Sequence, residues 1–320
     1  MSINNKAICP LCNSNNVVLK WNNARGYKVN ECLDCSFFFL DEMPNEKDLE
    51  KFYSENYFMA SYAKKNQNLI IDANNPKIFS DAKSYSALIK IYNPEATQLC
   101  EVGCSWGYLL YNLQKLGYSV KGYELSSTTA AEGIKQLGLN ITTGFFEPED
   151  HKFDVVILRH VLEHLTNPRD ILEKIYESLA DGGLFFLEGP NLDSISSRLF
   201  NENVSWVSPP DHVSFPNFRS LLIAGEELGF TCVYKTSRRG RGISVFHQAL
   251  LNTISVFFGS KEKAKENLGG INEKASSQLL TLTKKVALNF VTLLDFLTLP
   301  IHPLLKSALL EEEMLIIFKK

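Results

Sequence analysis

The chain has 320 residues, 45% of them hydrophobic, and a formal net charge of −3. That is enough apolar material for one large domain with appendages, and the slightly acidic balance offers no global attraction to nucleic-acid phosphates or anionic lipid, so a small or neutral partner is expected. The opening MSINNKAICP lacks the apolar stretch of a secretory signal and no apolar run of ~18 residues or more occurs, so the expected location is cytoplasmic, where the seven cysteines stay reduced.

Residues 1–44 hold CPLC at 9–12 and CLDC at 32–35, two C-x2-C pairs with 19 residues between them. This is the spacing of a four-thiolate zinc site, with Cys9, Cys12, Cys32 and Cys35 as ligands and VVLKW and YKVNE as the strands of a zinc ribbon. So small a module has too little core to fold without a staple. Four cysteines leave zinc no open position, so its expected role is structural.

Residues 45–97 read as a helical linker or cap, NEKDLEKFYSENYF and DAKSYSALIKIYN being separated by the polar IDANNPK. From Gln98 the text becomes a regular alternation. LCEV, SVKGYE, LNITTG, FDVVIL, GGLFFLEGP and TCVYKTS read as strands, with YLLYNLQKLG, STTAAEGIKQLG, NPRDILEKIYESLA and SFPNFRSLLIAGEELGF as the helices between them. EMLIIFKK supplies a seventh strand. The pattern predicts an open, doubly wound sheet over 98–242 and 311–320, with ligands beyond the carboxyl ends of its strands. A helical insertion, 243–310, interrupts it before the last strand; its apolar VALNFVTLLDFLTLPIHPLL is broken by Asp295, Pro300 and Pro303. Packing or a homodimer surface is expected there, with a substrate lid and a peripheral membrane contact as alternatives.

The densest signal is EVGCSWG. Glu101, Gly103, Ser105 and Gly107 follow a strand and open a helix, and Glu124 ends the next strand. The two glycines let the backbone approach a ligand, and Glu124 can accept both hydroxyls of a ribose. An adenosine-containing cofactor is implied. The loop lacks the G-x-G-x-x-G of nicotinamide enzymes, and Glu101 would repel a pyrophosphate but suits a sulfonium cofactor bearing an amino group.

On these segments, with FDVVILRHVLEHLTNP, LADGGLFFLEGPN and DHVSFPNFRSLLIAGEELGF, the chain resembles the class I S-adenosylmethionine-dependent methyltransferases over roughly residues 80–240 and 311–320. The resemblance implies a Rossmann-like seven-stranded sheet and S-adenosylmethionine as cofactor. It puts Glu101 and Gly103 by the methionine end, Gly107 at the turn into the helix, Glu124 on the ribose and Phe146, with Glu147, near the adenine. Ser105 completes the set, while Cys104 and Trp106 occupy a variable part of the loop, where Trp106 reads as packing.

HVLEH at 160–164 has the H-x-x-E-H order of inverted metalloproteases. A strand directly before it and Asn167-Pro168 after it leave room only for a very short helix, which excludes that reading. Within the resemblance it lies at the carboxyl end of the fourth strand, facing the methyl group. Ubiquinone-pathway O-methyltransferases are similar here, holding a divalent ion with E-x-x-E-H; this chain has His160 at the first acid, so a magnesium requirement is not carried over. His212, in SPPDHVSFP, is the expected general base, with His164 or His160 shaping or assisting the site. The ribbon and DHVSF are also similar to deoxysugar C-methyltransferases, although Pro209 stands where those have tyrosine.

The expected function is methyl transfer to a small molecule, a sugar, nucleotide-sugar or glycan, on oxygen or carbon. Two other readings compete. One is a zinc-ribbon nucleic-acid methyltransferase gripping phosphates through Arg238, Arg239 and Arg241; the other is a cofactor-binding module without catalysis.

Overall fold

The computed structural model describes residues 7–44, 72–239 and 302–320. The expected helix NEKDLEKFYSENYF, most of the 243–310 insertion and Arg241 lie outside the described residues. Two compact units divide the chain, Met1–Pro190 with Ser208–Lys235 and Leu315–Lys320, and Asn191–Val207 with Thr236–Met314.

The larger unit holds most of a seven-stranded sheet, of which Thr236–Arg238 and Glu313–Met314 fall in the smaller unit. Its strands are β4 (Gln98–Val102), β5 (Ser119–Glu124), β6 (Ile141–Thr143), β7 (Phe153–Arg159), β8 (Leu179–Pro190), β10 (Thr231–Arg238) and β11 (Glu313–Lys319), in the order β10-β11-β8-β7-β4-β5-β6. Pairs β4–β5, β4–β7, β5–β6 and β7–β8 are parallel. The chain order reverses direction at β4, between β5 and β7, so the crevice beyond the carboxyl ends of β4 and β7 is the switch point at which such sheets bind ligands. This is the Rossmann-like arrangement expected from the alternation.

Helices cover both faces. On one, α1 (Pro76–Tyr92) and α2 (Tyr108–Lys115) put Tyr85, Ile89, Leu109, Leu110 and Leu113 against Leu99, Val155, Ile157, Leu184, Phe186, Leu315 and Ile317. On the other, Phe185, Phe230 and Phe318 form a ring cluster with centroids 5.5–5.9 Å apart, and Tyr176 of α4 (Pro168–Ser178) meets Phe230 edge-on at 4.9 Å. Local signals set the helix ends. Asn75 caps α1 ahead of Pro76; Ser126 caps α3 (Ser127–Leu137), which Gly138 ends at φ +67°. Asn217 and Ser220 form a capping box on α6 (Phe218–Glu227).

A second sheet has the order β1-β2-β3-β9, with Cys32 ending β2 and Cys9, Cys12 and Cys35 outside its strands. β1 (Val17–Ala24) and β2 (Tyr27–Cys32) are the two expected strands. Two more were not legible: β3 (Phe38–Leu40) and β9 (Ser214–Phe215), which pair antiparallel. β9 lies inside the segment read as a loop with a following helix. Two residues between prolines 210 and 216 carry no periodic signal of their own, and their partner is far away in the chain.

In the smaller unit, Ser194 caps α5 (Ile195–Phe200), and Asn191 donates to the carbonyls of Glu311 (2.8 Å) and Leu309 (3.0 Å). α7 (His302–Ser307) belongs to this unit. Among the described residues no helix is long and apolar enough to cross a membrane.

Gly133, inside α3, tests how tightly the glycine loop is packed. Alanine there gains ~1 kcal/mol in helix propensity, but its Cβ would sit 2.7 Å from the Trp106 carbonyl oxygen and 2.9 Å from Ile141 Cδ1. Backbone cannot retreat as a side-chain tip can, so the clash dominates. Gly133→Ala should lower stability by about 1–3 kcal/mol in urea unfolding; a stabilised variant would show that the loop has room.

Candidate active site

The loop after β4 is held open by left-handed residues. Gly103, Ser105 and Gly107 have φ of +72°, +52° and +78°. The positive φ favours glycine at both positions, and a Cβ on Gly103 or Gly107 would also displace the side-chain tips of Val161 Cγ2 (2.4 Å) or Leu139 Cδ1 (2.3 Å). The Gly103 and Cys104 N–H groups donate to the Tyr123 carbonyl at 2.8 and 3.1 Å. Glu124, only 9% exposed, accepts from Ser105 N–H on Oε2 (2.7 Å) and from Ser126 N–H on Oε1 (2.8 Å). Burial raises its pKa, against the backbone N–H groups of Ser126, Ser105 and Leu125 that lower it. A carboxylate has about four lone-pair positions, so each oxygen keeps acceptor capacity.

The turn after β6 is fixed beside Glu124 by the Gly144 N–H, which donates to the Glu124 carbonyl at 2.9 Å. Phe146 is buried there, its ring edge-on to Tyr123 at 4.9 Å. The neighbouring Phe145 is 73% exposed and Leu125, next to Glu124 in the chain, 54%, so both offer apolar surface, which their sequence context did not signal. Glu101 is buried at the end of β4, with Arg159 Nε 4.0 Å from it and Arg159 Nη1 3.8 Å from Asp81.

HVLEH forms no more than a 3-10 turn, Leu162–His164, as the flanking strand and proline required. His160 adopts φ +53° and donates its N–H to the Glu188 carbonyl at 2.9 Å. Its ring lies between two buried carboxylates, with Nδ1 3.4 Å from Glu163 and Nε2 3.5 Å from Glu188. Tyr85 of α1 donates its hydroxyl to Glu188. Burial would raise the Glu163 carboxyl, but the His160 contact and the charges of His164, His160 and His212 outweigh it and hold the group at about 2.

His164 and His212, distant in sequence, meet edge to face with centroids 4.7 Å apart. Asp211 joins them: its carbonyl lies 2.9 Å and its carboxylate 3.4 Å from His164 Nδ1, and the carboxylate lies 3.9 Å from His212 Nε2. Burial lowers the His164 pKa, yet Asp211 and Glu163 together leave it raised. Donor atoms of Glu163, His164 and His212 all lie within 4.8 Å of one another, a set able to take a cation. Asp211 and Glu188 did carry a sequence signal, an acid beside a histidine in DHV and an acid inside the apolar strand LFFLEGP. Tyr85 carried none.

The four cysteines converge. Sγ atoms of Cys9 and Cys35 are 3.7 Å apart and those of Cys12 and Cys32 3.6 Å, with all four within 4.8 Å and none in a disulfide. Zn–S bonds of ~2.3 Å in a tetrahedron put sulfurs about 3.8 Å apart, so the donor set fits a zinc-binding region. The Cys35 hydrogen bond lowers the Cys9 thiol to about 6, whereas burial pushes Cys12 up to about 12. Of the arginine cluster, Arg238 pairs with Glu313 at 3.2 Å within the smaller unit.

The family described as a methyltransferase domain matches residues 72–235, just over half of the chain. The mitochondrial ubiquinone biosynthesis O-methyltransferase of Candida albicans is 34% identical over 119 residues, covering 33% of this chain and 36% of that protein. The ubiquinone biosynthesis O-methyltransferase of Colwellia psychrerythraea is 28% identical over 152 residues, 42% of this chain and 61% of that protein. The chain thus spans between one third and about three fifths of these relatives. Among solved structures, magnesium protoporphyrin IX methyltransferase from Synechocystis PCC 6803 aligns with a TM-score of 0.47 at 14% identity, over 61% of this chain and 94% of that one.

Because Glu163 is held below the ordinary 4.5, its ionised form contributes stability above that pH and loses it as pH falls toward about 2. Glu163→Gln should therefore be less stable than the parent at pH 7, by about 3 kcal/mol for a broken buried pair. The gap should shrink as the acid limb is crossed. Urea midpoints at pH 7 and pH 3 check this; an equal gap at both would show that the carboxylate charge is not what holds the turn.

Proposed function

This chain belongs to the methyltransferase-domain family, and from that premise we propose that it transfers the methyl group of S-adenosylmethionine to a hydroxyl-bearing small molecule, with sugars, nucleotide-sugars and glycans the first class to test. The observation that carries the reading is the pairing of His212 with His164 and Asp211 beside the glycine-loop crevice of one α/β unit.

S-adenosylmethionine, when bound, supplies an electrophilic methyl on a sulfonium and leaves as a neutral thioether. The protein's task is to hold, align and deprotonate. Glu124 uses its remaining lone pairs for the ribose hydroxyls, and Gly103 and Gly107 admit the cofactor to the backbone. Glu101 faces the amino group, and Ser105, through its N–H, keeps Glu124 oriented. Phe145 and Leu125 offer the apolar contact for the adenine, with Phe146 packed beneath Tyr123 as their support. As the acceptor oxygen attacks in line, its proton passes to the His212 imidazole. Asp211 stabilises the charge it gains, and His164, packed edge to face, orients the ring. His160, clasped by Glu163 and Glu188, shapes the wall of the pocket.

Oxygen is favoured over carbon because a histidine–acid pair suffices to remove a hydroxyl proton. Relatives matching this chain are named as O-methyltransferases. Zinc at Cys9, Cys12, Cys32 and Cys35 is structural in this reading, since four thiolates close the coordination sphere. For the domains we propose a ribbon over 1–44 and a methyltransferase domain over 98–242 and 311–320, with 45–97 as a linker and 243–310 as an insertion.

His212→Ala should reduce turnover about 10²–10⁴-fold in a labelled-methyl assay across sugar and phenolic acceptors, with cofactor affinity within twofold of the parent by calorimetry. Full turnover in this variant would end the base assignment. Glu124→Ala should weaken S-adenosylmethionine binding at least ~10-fold, about 1.4 kcal/mol; unchanged affinity would remove Glu124 from the ribose.

A further inference from the structure

The cysteine module and the histidine site share one hydrogen-bonded sheet. Phe38 stands opposite Phe215 and Phe39 opposite Ser214 in the β3–β9 pair, and the Leu40 N–H donates to the carbonyl of Val213, the residue after His212, at 3.1 Å. From there the ladder runs on into the HVLEH turn: the Val213 N–H donates to the Glu163 carbonyl at 2.9 Å and the Ser214 hydroxyl to the Leu165 carbonyl at 2.8 Å. At its other end, β3 leaves the second cysteine pair directly. The Cys32 N–H donates to the Phe37 carbonyl at 2.9 Å, and Asn217 Nδ2 donates to the carbonyl of Ser36, next to Cys35, at 2.6 Å. Trp21 of the ribbon packs on both partners, 5.4 Å from Phe38 and 6.4 Å from Phe215.

Local bonds anchor the start of the His212 segment, the Asp211 and His212 N–H groups donating to the Ser208 carbonyl at 3.0 and 3.3 Å. β9 is two residues long, and prolines 209, 210 and 216 around it have no N–H to donate. A strand that short is ordered by its partner, and β3 in turn belongs to a module with too little core to fold without metal.

We propose that the ribbon is a positioning element of the acceptor half of the site: metal held by Cys9, Cys12, Cys32 and Cys35 orders β3, β3 orders β9, and β9 sets His212 and Asp211 against His164. The cofactor half touches this ladder only through Val161 beside Gly103, and Glu124 takes its bonds from the glycine loop and the start of α3 rather than from β3 or β9. Metal loss therefore uncouples the two halves, sparing cofactor binding and disordering the acceptor side. The catalytic consequence rests on His212 as base; the link between ribbon and histidines does not.

The full chain carries only six histidines, so ¹⁵N imidazole spectra can follow His164 and His212 directly. Stripping the metal with a chelator should shift or broaden both signals, zinc should restore them, and S-adenosylmethionine affinity should stay within twofold. Asn217→Asp gives a second measurement that leaves the ligands intact. The carboxylate still accepts from the Ser220 N–H and caps α6, but the bond to Ser36 is lost. Metal content should be unchanged, the His212 signal displaced, and kcat/KM for the acceptor lowered at least ~10-fold, about 1.4 kcal/mol. If stripping unfolds the chain, Asn217→Asp decides alone. Histidine signals indifferent to metal removal, or to Asn217→Asp in a folded chain, overturn the proposal. Full turnover in His212→Ala together with metal-sensitive His164 signals would instead sink the base assignment and leave the positioning role standing.

Discussion

Backbone N–H groups converge on the carboxylate of Glu124, and the cofactor half of the site depends on that convergence. A buried carboxylate must be hydrogen-bonded to be tolerated, and its partners here are the glycine loop after β4, through Ser105, and the entry to α3, through Ser126. The bond to Ser105 secures a residue at φ +52°, a conformation that a non-glycine residue holds only where its surroundings dictate it. With Gly103 and Gly107 hemmed in by Val161 and Leu139, the loop has little freedom to close over the crevice it borders. The same carboxylate that fixes the loop retains lone pairs for a ligand, so preorganisation and recognition reside in one group.

The other half of the site concentrates charge rather than glycine. Glu163 and Glu188 are almost fully buried, and His160, itself at positive φ, lies between them, while His164, His212 and Asp211 form a second group on the far side of Glu163. Such an arrangement costs desolvation and backbone strain, and persists because the network satisfies it from several elements at once: Tyr85 from α1, Glu188 from β8, the turn after β7, and the segment leading into β9. Perturbed ionisable groups gathered beyond the carboxyl ends of parallel strands mark a candidate reacting site.

How much of this was legible follows the range of the interactions. The sheet was legible because each strand carries its own apolar run and each helix its own period and caps; SVKGYE and EMLIIFKK differ from β5 and β11 by a residue at most. The glycine loop with Glu124, and the four cysteines, were legible because spacing alone expresses their chemistry. Asp211 was visible beside His212, but its bond to His164 was not, since that contact joins residues far apart in the chain. β3 and β9 were invisible for the same reason: three and two residues have no period, and their pairing exists only once both sheets are folded. Phe146 illustrates a finer limit. Two adjacent phenylalanines look alike in sequence, and only the alternation of the backbone decides that Phe146 packs on Tyr123 while Phe145 faces outward.

In the proposed reaction, cofactor and acceptor meet in the crevice between the Glu124 loop and the histidine pair. A crystal of the full chain grown with S-adenosylhomocysteine tests this most directly. The expected result is ribose hydroxyls on Glu124, adenine against Phe145 and Leu125, and the thioether sulfur directed toward His164 and His212. Nucleoside density bound elsewhere, or a sulfur turned away from the histidines, would contradict it.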